Sequence, residues 1–156
     1  MEKIMFDTNV FDEILEGNLD LKLIKDSIKV DYEYFITHIQ IEELSNIPDS
    51  KKEKRRILAI FLNDIRPRLI PTESTVLGHS RFGLAKLGNA DFYKLILNQN
   101  KDNVKDALIG ETAIKQEITL ITEDEELKSK VENLGGTVLK VKELQNKIVK
   151  DLEGKK

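Results

Sequence analysis

Residues 118–141 read ITLITEDEELKSKVENLGGTVLKV, and this stretch decides the fold class. Its two ends, residues 118–122 and 137–141, are short segments rich in Ile, Leu and Val, a composition typical of buried strands. Between them, residues 123–133 predict a helix that stops before Gly135-Gly136, because glycine is the usual residue after a helix C-terminus. Two parallel strands need a crossover, and a helix usually supplies it. The stretch therefore predicts a strand–helix–strand unit of a parallel sheet.

The same alternation extends through the rest of the chain. Residues 3–6, 33–37 and 67–70 predict three further strands, and the last belongs at a sheet edge or end because prolines bound it. Helical spacing of apolar residues predicts helices over residues 9–17, 19–28, 39–47, 50–64, 72–87, 90–98, 103–116 and 142–152. We expect a single α/β domain over residues 1–156, a three-layer α/β/α fold with a central parallel sheet of about five strands.

The composition excludes several kinds of site. The 156 residues contain no cysteine, which removes disulfides, thiol nucleophiles and zinc–thiolate centres. Only two histidines are present, so a histidine-rich metal site or a Ser-His-Asp triad is poorly supplied. The 25 Lys and Arg against 28 Asp and Glu give a net charge of −3, unlike the strongly basic balance of a protein that coats nucleic acid. Metal chemistry in this chain would use oxygen ligands.

The sequence indicates a cytoplasmic protein with no membrane partner. No apolar run approaches the roughly 18 residues that a membrane helix needs. The N-terminus reaches Asp7 after three apolar residues, whereas the apolar region of a signal peptide has about 7–15.

Four acidic residues are expected at one edge of the predicted sheet. Asp7 follows the first strand and Asp124 follows the strand at 118–122, and sites in open parallel sheets lie beyond the carboxyl ends of the strands. Asp106 lies near the start of the helix before that strand, and Glu43 lies on the helix after the second strand. Each acid has an ordinary alternative role at a helix start or on a solvated helix face. Their joint occurrence at one edge is what indicates a site.

The chemistry of such a cluster follows from its charge. Neighbouring carboxylates repel one another unless a cation lies among them. Ligands that are all oxygen favour Mg²⁺ or Mn²⁺. Either ion can activate water and stabilise the leaving oxygen when a phosphodiester is cleaved. The sequence therefore predicts a divalent-metal site with hydrolytic chemistry.

These acids also stand in motifs that resemble those of the PIN domain, the small ribonuclease fold of VapC-type toxins and related RNA-processing enzymes. Asp7-Thr8-Asn9 is similar to the motif that ends the family's first strand, and Glu43-Leu44 to its Glu before Leu on an early helix. Asp106-Ala107-Leu108-Ile109 is similar to the third motif, and Thr122-Glu123-Asp124 to the closing Thr-x-Asp. The resemblance covers roughly residues 1–141.

The resemblance implies the same three-layer fold and a metal-dependent ribonuclease that cleaves RNA. Asp7, Asp106 and Asp124 would ligate Mg²⁺ or Mn²⁺, and Glu43 would complete the catalytic site directly or through water. Glu42 is the alternative to Glu43, which is preferred because the family's acid precedes Leu. The resemblance also suggests an antitoxin-like protein partner, and it leaves open a toxin-type or an RNA-processing role.

Leu144, Ile148 and Leu152 recur at four-residue steps on the last predicted helix. This stripe is most simply the face of a helix docked on the core, and the alternative is a homodimer surface.

The chain departs from the family in two places. Members usually continue the last motif with another Asp and an aromatic residue, whereas Glu125-Glu126-Leu127 follows here, so Glu126 is a candidate for the acidic position. Residues 88–100 look like additional length before the third motif, which argues against the short toxin subgroup.

One dense basic run, residues 51–56, is the first candidate for holding RNA phosphates. The predicted binding residues are Lys51, Lys52, Arg55 and Arg56. The alternative is a solvated face of the helix at 50–64, opposite a core face formed by Ile57, Ile60 and Phe61.

The two histidines and one aromatic residue near them carry weaker hypotheses. For His38 a structural role is favoured over that of a catalytic base. For His79 and Phe82 packing is favoured over stacking on a base.

Three other functions are weighed against the ribonuclease. A haloacid-dehalogenase-type phosphatase needs a second Asp two positions after the first, where Asn9 stands. A receiver domain needs an acidic pair after strand one and a phospho-accepting Asp after strand three, and neither is present at Phe6-Asp7 or Leu69-Ile70-Pro71. The third is a PIN-like RNA-binding or scaffold module with little turnover, against which the retention of all four acids speaks.

Overall fold

The computed structural model describes residues 1–76, 84–86, 91–97 and 103–155. Five strands form one sheet, and every pairing in it is parallel. They are β1 (Glu2–Phe6), β2 (Tyr32–Ile36), β3 (Arg68–Leu69), β4 (Thr119–Ile121) and β5 (Val138–Leu139). Their order across the sheet is β3-β2-β1-β4-β5, so β1 is central.

Helices cover both faces of this sheet. In the described ranges they are α1 (Val10–Leu15), α2 (Leu21–Ser27), α3 (His38–Ser45), α4 (Lys52–Ile65), α5 (Asp91–Leu97), α6 (Val104–Lys115), α7 (Glu125–Asn133) and α8 (Val141–Gly154). Two short 3₁₀ turns, Ile28–Val30 and Asp49–Lys51, precede β2 and α4.

The core lies in two halves because side chains alternate across each strand. On β1, Ile4 and Phe6 pack into a cluster with α1, α2, α4 and α8, where Phe6 stacks on Tyr34 at 5.5 Å between ring centroids. Met5 points the other way, into a cluster with Leu120 and with α5, α6 and α7. Since residues 4–6 of β1 and 34–36 of β2 are buried on both faces of the sheet, each is a continuous apolar run rather than an alternating one. The predicted three-layer α/β/α fold with a five-stranded parallel sheet is confirmed.

The predicted edge strand is also confirmed, though it is shorter than expected. It consists only of Arg68 and Leu69, both exposed, and pairs with β2 at the margin of the sheet. Proline at position 67 has no N–H to donate and therefore cannot extend the ladder.

The helix predicted over residues 72–87 is wrong where the structure describes it. Thr72 and Ala85 form an isolated parallel bridge, in which Thr72 N donates to Leu84 O at 3.0 Å and Lys86 N to Thr72 O at 2.7 Å. Long-range pairing overrides the local helical spacing here. The rest of that prediction, with His79 and Phe82, lies outside the described residues, as do parts of the additional length at 88–100.

The expected core face of α4 is confirmed for Phe61 and wrong for Ile57 and Ile60. Ile57 and Ile60 are 40% and 52% exposed, whereas Leu58, Phe61 and Ile65 are buried. Both sets have helical spacing and Leu58 shares its face with Phe61, so periodicity alone allows either stripe.

Within the described residues, no helix is both long enough and apolar enough to cross a bilayer.

Candidate functional site

The strand order places a topological switch point between β1 and β4. Strands β2 and β3 extend to one side of β1, and β4 and β5 extend to the other. In parallel sheets the crevice at such a point, beyond the carboxyl ends of the strands, is where ligands bind. Asp7 and Thr122 directly follow the two strands, and Asp7 N donates to Ile121 O at 2.9 Å. The predicted edge therefore has a defined centre at Asp7.

Asp7 is buried and held from two sides. It is 2% exposed. The backbone N–H of Thr8 donates to Oδ1 at 2.8 Å, and the hydroxyl of Thr122 donates to Oδ2 at 2.8 Å. Burial raises the pKa of Asp7, these two hydrogen bonds lower it, and the charges of Glu43 and Asp124 raise it further. The two hydrogen bonds fix the orientation of the carboxylate, and a positive charge placed beside it would stabilise its ionised form.

Thr122 connects Asp7 to Asp124. Its Oγ1 donates to Asp7 and accepts from the backbone N–H of Asp124 at 3.1 Å and from Asn9 Nδ2 at 3.3 Å. One hydroxyl thus sets the spacing between the acids that follow β1 and β4.

Asp124 is the N-cap of α7, which is the ordinary role that its position also allowed. The backbone N–H groups of Glu126 and Leu127 donate to Oδ1 at 2.9 and 3.1 Å. Both bonds use the same oxygen, so capping and participation in the acidic site are compatible. Glu126, the candidate for the family's additional acid, lines a small cavity together with Asp106 and Asp124.

Asp106 lies in the first turn of α6 and faces the same edge. Its pKa is raised to about 7, first by burial and then by the charges of Asp7, Asp124 and Glu43, while Lys105 lowers it. The three other acids are thus close enough to act on Asp106 electrostatically, although all four come from different segments of the chain.

Glu43 lies on α3 and pairs with a lysine of α6. Lys105 Nζ lies 3.4 Å from Glu43 Oε1. The charge of Glu43 reaches both Asp7 and Asp106, and its side chain lines a cavity with Thr8 and Asn9. The geometry therefore places Glu43 at the acidic edge.

The acids converge without forming a ready-made metal cage. In the part of the chain that the structure describes, no three or more His, Cys, Asp or Glu side chains are arranged to hold a metal ion. Carboxylates repel one another when no cation lies between them, and Glu43 is drawn toward Lys105. The donors nevertheless fit Mg²⁺ or Mn²⁺, since they are all oxygens and a cation beside the buried Asp7 would offset the burial and the neighbouring charges that raise its pKa.

The predicted nucleic-acid-binding residues lie at the start of α4 and on the 3₁₀ turn before it. Lys51, Lys52 and Arg56 are exposed. Arg55 pairs with Asp49 at 3.0 Å and also donates to Ile47 O. Lys54, which the prediction left out, lines the cavity beside Glu43.

His38 has a structural contact. It is buried, and its Nδ1 lies 3.1 Å from Leu84 O, so it ties α3 to residues 84–86.

Four residues of the site were not given a role from the sequence. Thr122 and Asn9 stand inside the quoted motifs, so a hydroxyl and an amide beside the acids were available signals. Lys105 directly precedes Asp106, and Lys54 belongs to the basic run, but their partners are distant in sequence and no local pattern shows them.

No protein-family model matches this chain, and no curated protein is significantly similar to it. The functional assignment therefore depends on the geometry of these residues and on the short motifs.

Proposed function

We propose that the protein is a metal-dependent ribonuclease of the PIN type, which hydrolyses phosphodiester bonds in RNA. Asp7, Asp106 and Asp124 would hold Mg²⁺ or Mn²⁺, and Glu43 would complete the site. When bound, the ion supplies activation of water and stabilisation of the leaving oxygen. A cytoplasmic location, an antitoxin-like partner and a homodimer stay predictions.

The observation that supports this proposal most is the convergence of three other acids on Asp106. Structural carboxylates are usually paired with cations or exposed to water, because burying a charge is costly. Here burial and three neighbouring acids raise the pKa of Asp106 to about 7. An arrangement that destabilises its own charges at a sheet switch point is typical of a functional site rather than of a stabilising one.

The chain's own residues would prepare the reaction by holding oxygens in place. Thr8 N–H and the Thr122 hydroxyl fix both oxygens of Asp7, and the same hydroxyl positions the backbone of Asp124. Without a cation the pKa of Asp106 is raised to about 7, so a divalent ion bound beside it would stabilise its anionic form. Glu43 is half-buried and can leave Lys105 for another cation.

One observation favours the second candidate function, an RNA-binding module with little turnover. The carboxylates are not arranged as a metal cage in the described residues, and Glu43 is paired with Lys105. A module of this kind would bind RNA without requiring a metal ion.

Cleavage assays separate the two candidates. A mixed panel of single-stranded RNAs, incubated with and without Mn²⁺, should be cut only in the presence of the ion. Asp7→Asn and Asp106→Asn should each reduce the rate by at least about 100-fold, because an amide keeps the shape but loses the ligand charge. Thr122→Val should reduce it about 10- to 100-fold, and Thr122→Ser should restore much of it.

The matched control is Asp49→Asn, which removes an exposed carboxylate that pairs with Arg55. It should cut at the parental rate, and all variants should keep the parental circular dichroism spectrum. Cleavage by Asp7→Asn at the parental rate, or cleavage independent of metal, would contradict the proposal. RNA binding without any cleavage would favour the second candidate.

A further inference from the structure

We propose that Lys54 and Lys105 hold phosphates of a single-stranded RNA that lies in the cavity beside Glu43; this assignment rests on the proposed function and specifies how its substrate is bound. It differs from the hypothesis drawn from the sequence, in which the exposed members of the basic run make those contacts.

A cavity of about 340 Å³ opens beside Glu43 between α1, α3 and α4. Its lining is of two kinds, polar from Asn9, Glu43 and Lys54, and apolar from Phe11, Leu44 and Leu58. A nucleotide carries both a charged phosphate and a flat base with apolar faces, so both parts of the lining have a counterpart in it. The volume lies at the small end of the roughly 300–1,000 Å³ of ligand pockets, which suits one nucleotide unit.

Lys54 places the charge of the basic run inside this cavity. Its Nζ lies 2.6 Å from Oδ1 of Asp12, a side chain that is 59% exposed. Lys52, two residues earlier on the same helix, is exposed and does not line the cavity. A strand bound in the cavity would therefore contact Lys54 but not Lys52.

Lys105 is the second cation beside the cavity, which it reaches through its ion pair with the cavity residue Glu43. It pairs with Glu43 at 3.4 Å and its side chain is 46% exposed. An approaching phosphate is repelled by the four carboxylates, and a lysine beside them offsets that repulsion. Both lysines are paired with partly exposed carboxylates, and exposed ion pairs are weak. A phosphate can therefore replace either carboxylate as the partner.

The test is the salt dependence of binding to a short fluorescent single-stranded RNA. It is measured in EDTA, so that no cleavage occurs, for the parent, Lys54→Gln, Lys105→Gln and the matched control Lys52→Gln. Each lost phosphate contact should reduce the slope of log K against log salt by about 0.7. We expect that reduction for Lys54→Gln and Lys105→Gln, an unchanged slope for Lys52→Gln, and a restored slope for Lys54→Arg.

Asp12→Asn should raise the affinity for RNA, whereas the lysine substitutions lower it. It removes the carboxylate that holds Lys54 and leaves the lysine free for RNA, so affinity should rise about two- to fivefold. A variant that merely disturbed α1 would weaken binding instead.

These results separate this proposal from the proposed function. If the parent cuts RNA with Mn²⁺ but Lys54→Gln and Lys105→Gln keep the parental slope, the phosphate assignment is wrong and the ribonuclease stands. If the slopes change as expected and no RNA is cut, the binding site stands and the ribonuclease does not. If Lys52→Gln reduced the slope as much as Lys54→Gln and Lys105→Gln do, or if the parent did not bind RNA, the assignment of these two lysines would be overturned.

Discussion

The assembly of four acids at one edge of the sheet disfavours the ionised form of Asp106. Burial disfavours its ionised form first, and the charges of Asp7, Asp124 and Glu43 add to the effect, so that its pKa is raised from 3.8 to about 7. The pKa of Asp7 shifts in the same direction, again mainly because of burial. Both acids are therefore less stable as anions in the folded protein than in the unfolded chain, where the carboxylates are apart.

This shift predicts how stability depends on pH in metal-free protein. Between pH 3.8 and about 7 the folded state binds more protons at Asp106 than the unfolded state does, so the free energy of unfolding falls as pH rises through that window. Asp106→Asn removes the effect. In EDTA it should raise the free energy of unfolding by about 1–2 kcal/mol near pH 8, after allowance for solvent screening of a partly exposed group, and by nothing below the unfolded pKa.

Denaturant unfolding at the two pH values measures that difference. The control Asp49→Asn removes an exposed carboxylate that pairs with Arg55. Its effect on the free energy of unfolding should not differ in this way between the two pH values. A gain for Asp106→Asn that is the same at both pH values would mean that the charge of Asp106 is not responsible.

At the scale of the elements, a tight turn connects α7 to β5, the strand that pairs with β4. Gly136 N donates to Val131 O at 2.9 Å and closes the end of α7. A Cβ atom at Gly136 would lie 2.5 Å from Val131 Cγ1, 2.9 Å from Ile114 Cγ1 and 3.1 Å from Val131 O. The glycine is thus required by the close approach of α6 and α7, and the stop that the Gly-Gly pair predicted has a packing reason.

Gly136→Ala should therefore destabilise the protein by about 1–3 kcal/mol, the usual range for overpacking a tight site. Thermal unfolding would register this as a decrease of roughly 2–12 °C, at about 2–4 °C per kcal/mol for a domain near this size. Gly154→Ala is the matched control, because nothing lies within 4 Å of a Cβ there. A neutral Gly136→Ala would show that the turn relaxes without cost.

For the whole molecule, the sheet topology decides which acids meet. Asp7 and Asp124 are brought together because β1 and β4 are neighbours, although they are distant in sequence. Asp106 and Glu43 arrive on two helices, α6 and α3. The unfolded chain scatters these ligands, so a cation that binds the assembled site should stabilise only the folded state.

Divalent metal should accordingly raise the melting temperature near neutral pH. At a concentration of one hundred times Kd the stabilisation is about 2.7 kcal/mol, which corresponds to roughly 5–11 °C. The shift should be larger with Mn²⁺ than with Mg²⁺ at equal concentration, since Mg²⁺ gives up its waters reluctantly. It should shrink at low pH, where Asp106 is protonated.

The melting temperature of Asp7→Asn should not rise when the metal is added, whereas that of Asp49→Asn should rise as in the parent. A scan in which millimolar Mn²⁺ moved the parent and Asp7→Asn by the same amount would show that this cluster does not hold the ion.

The sequence by itself determined the fold class and the position of the acids along it. All five strands lie where short apolar segments predicted them, and the strand bounded by prolines lies at the edge. Asp7 and Asp124 follow strand ends, which a parallel sheet must bring to one side. These features depend on spacings of a few residues, so they can be read locally.

Only the tertiary structure decided the strand order, the partners of the acids and the stripe of α4 that is buried. The contact of Thr122 with Asp7, the pairing of Glu43 with Lys105 and the bridge between Thr72 and Ala85 join segments that are distant along the chain. Such contacts depend on how whole elements pack, and a local pattern that fits two arrangements, as in α4, carries no information about which one packs better.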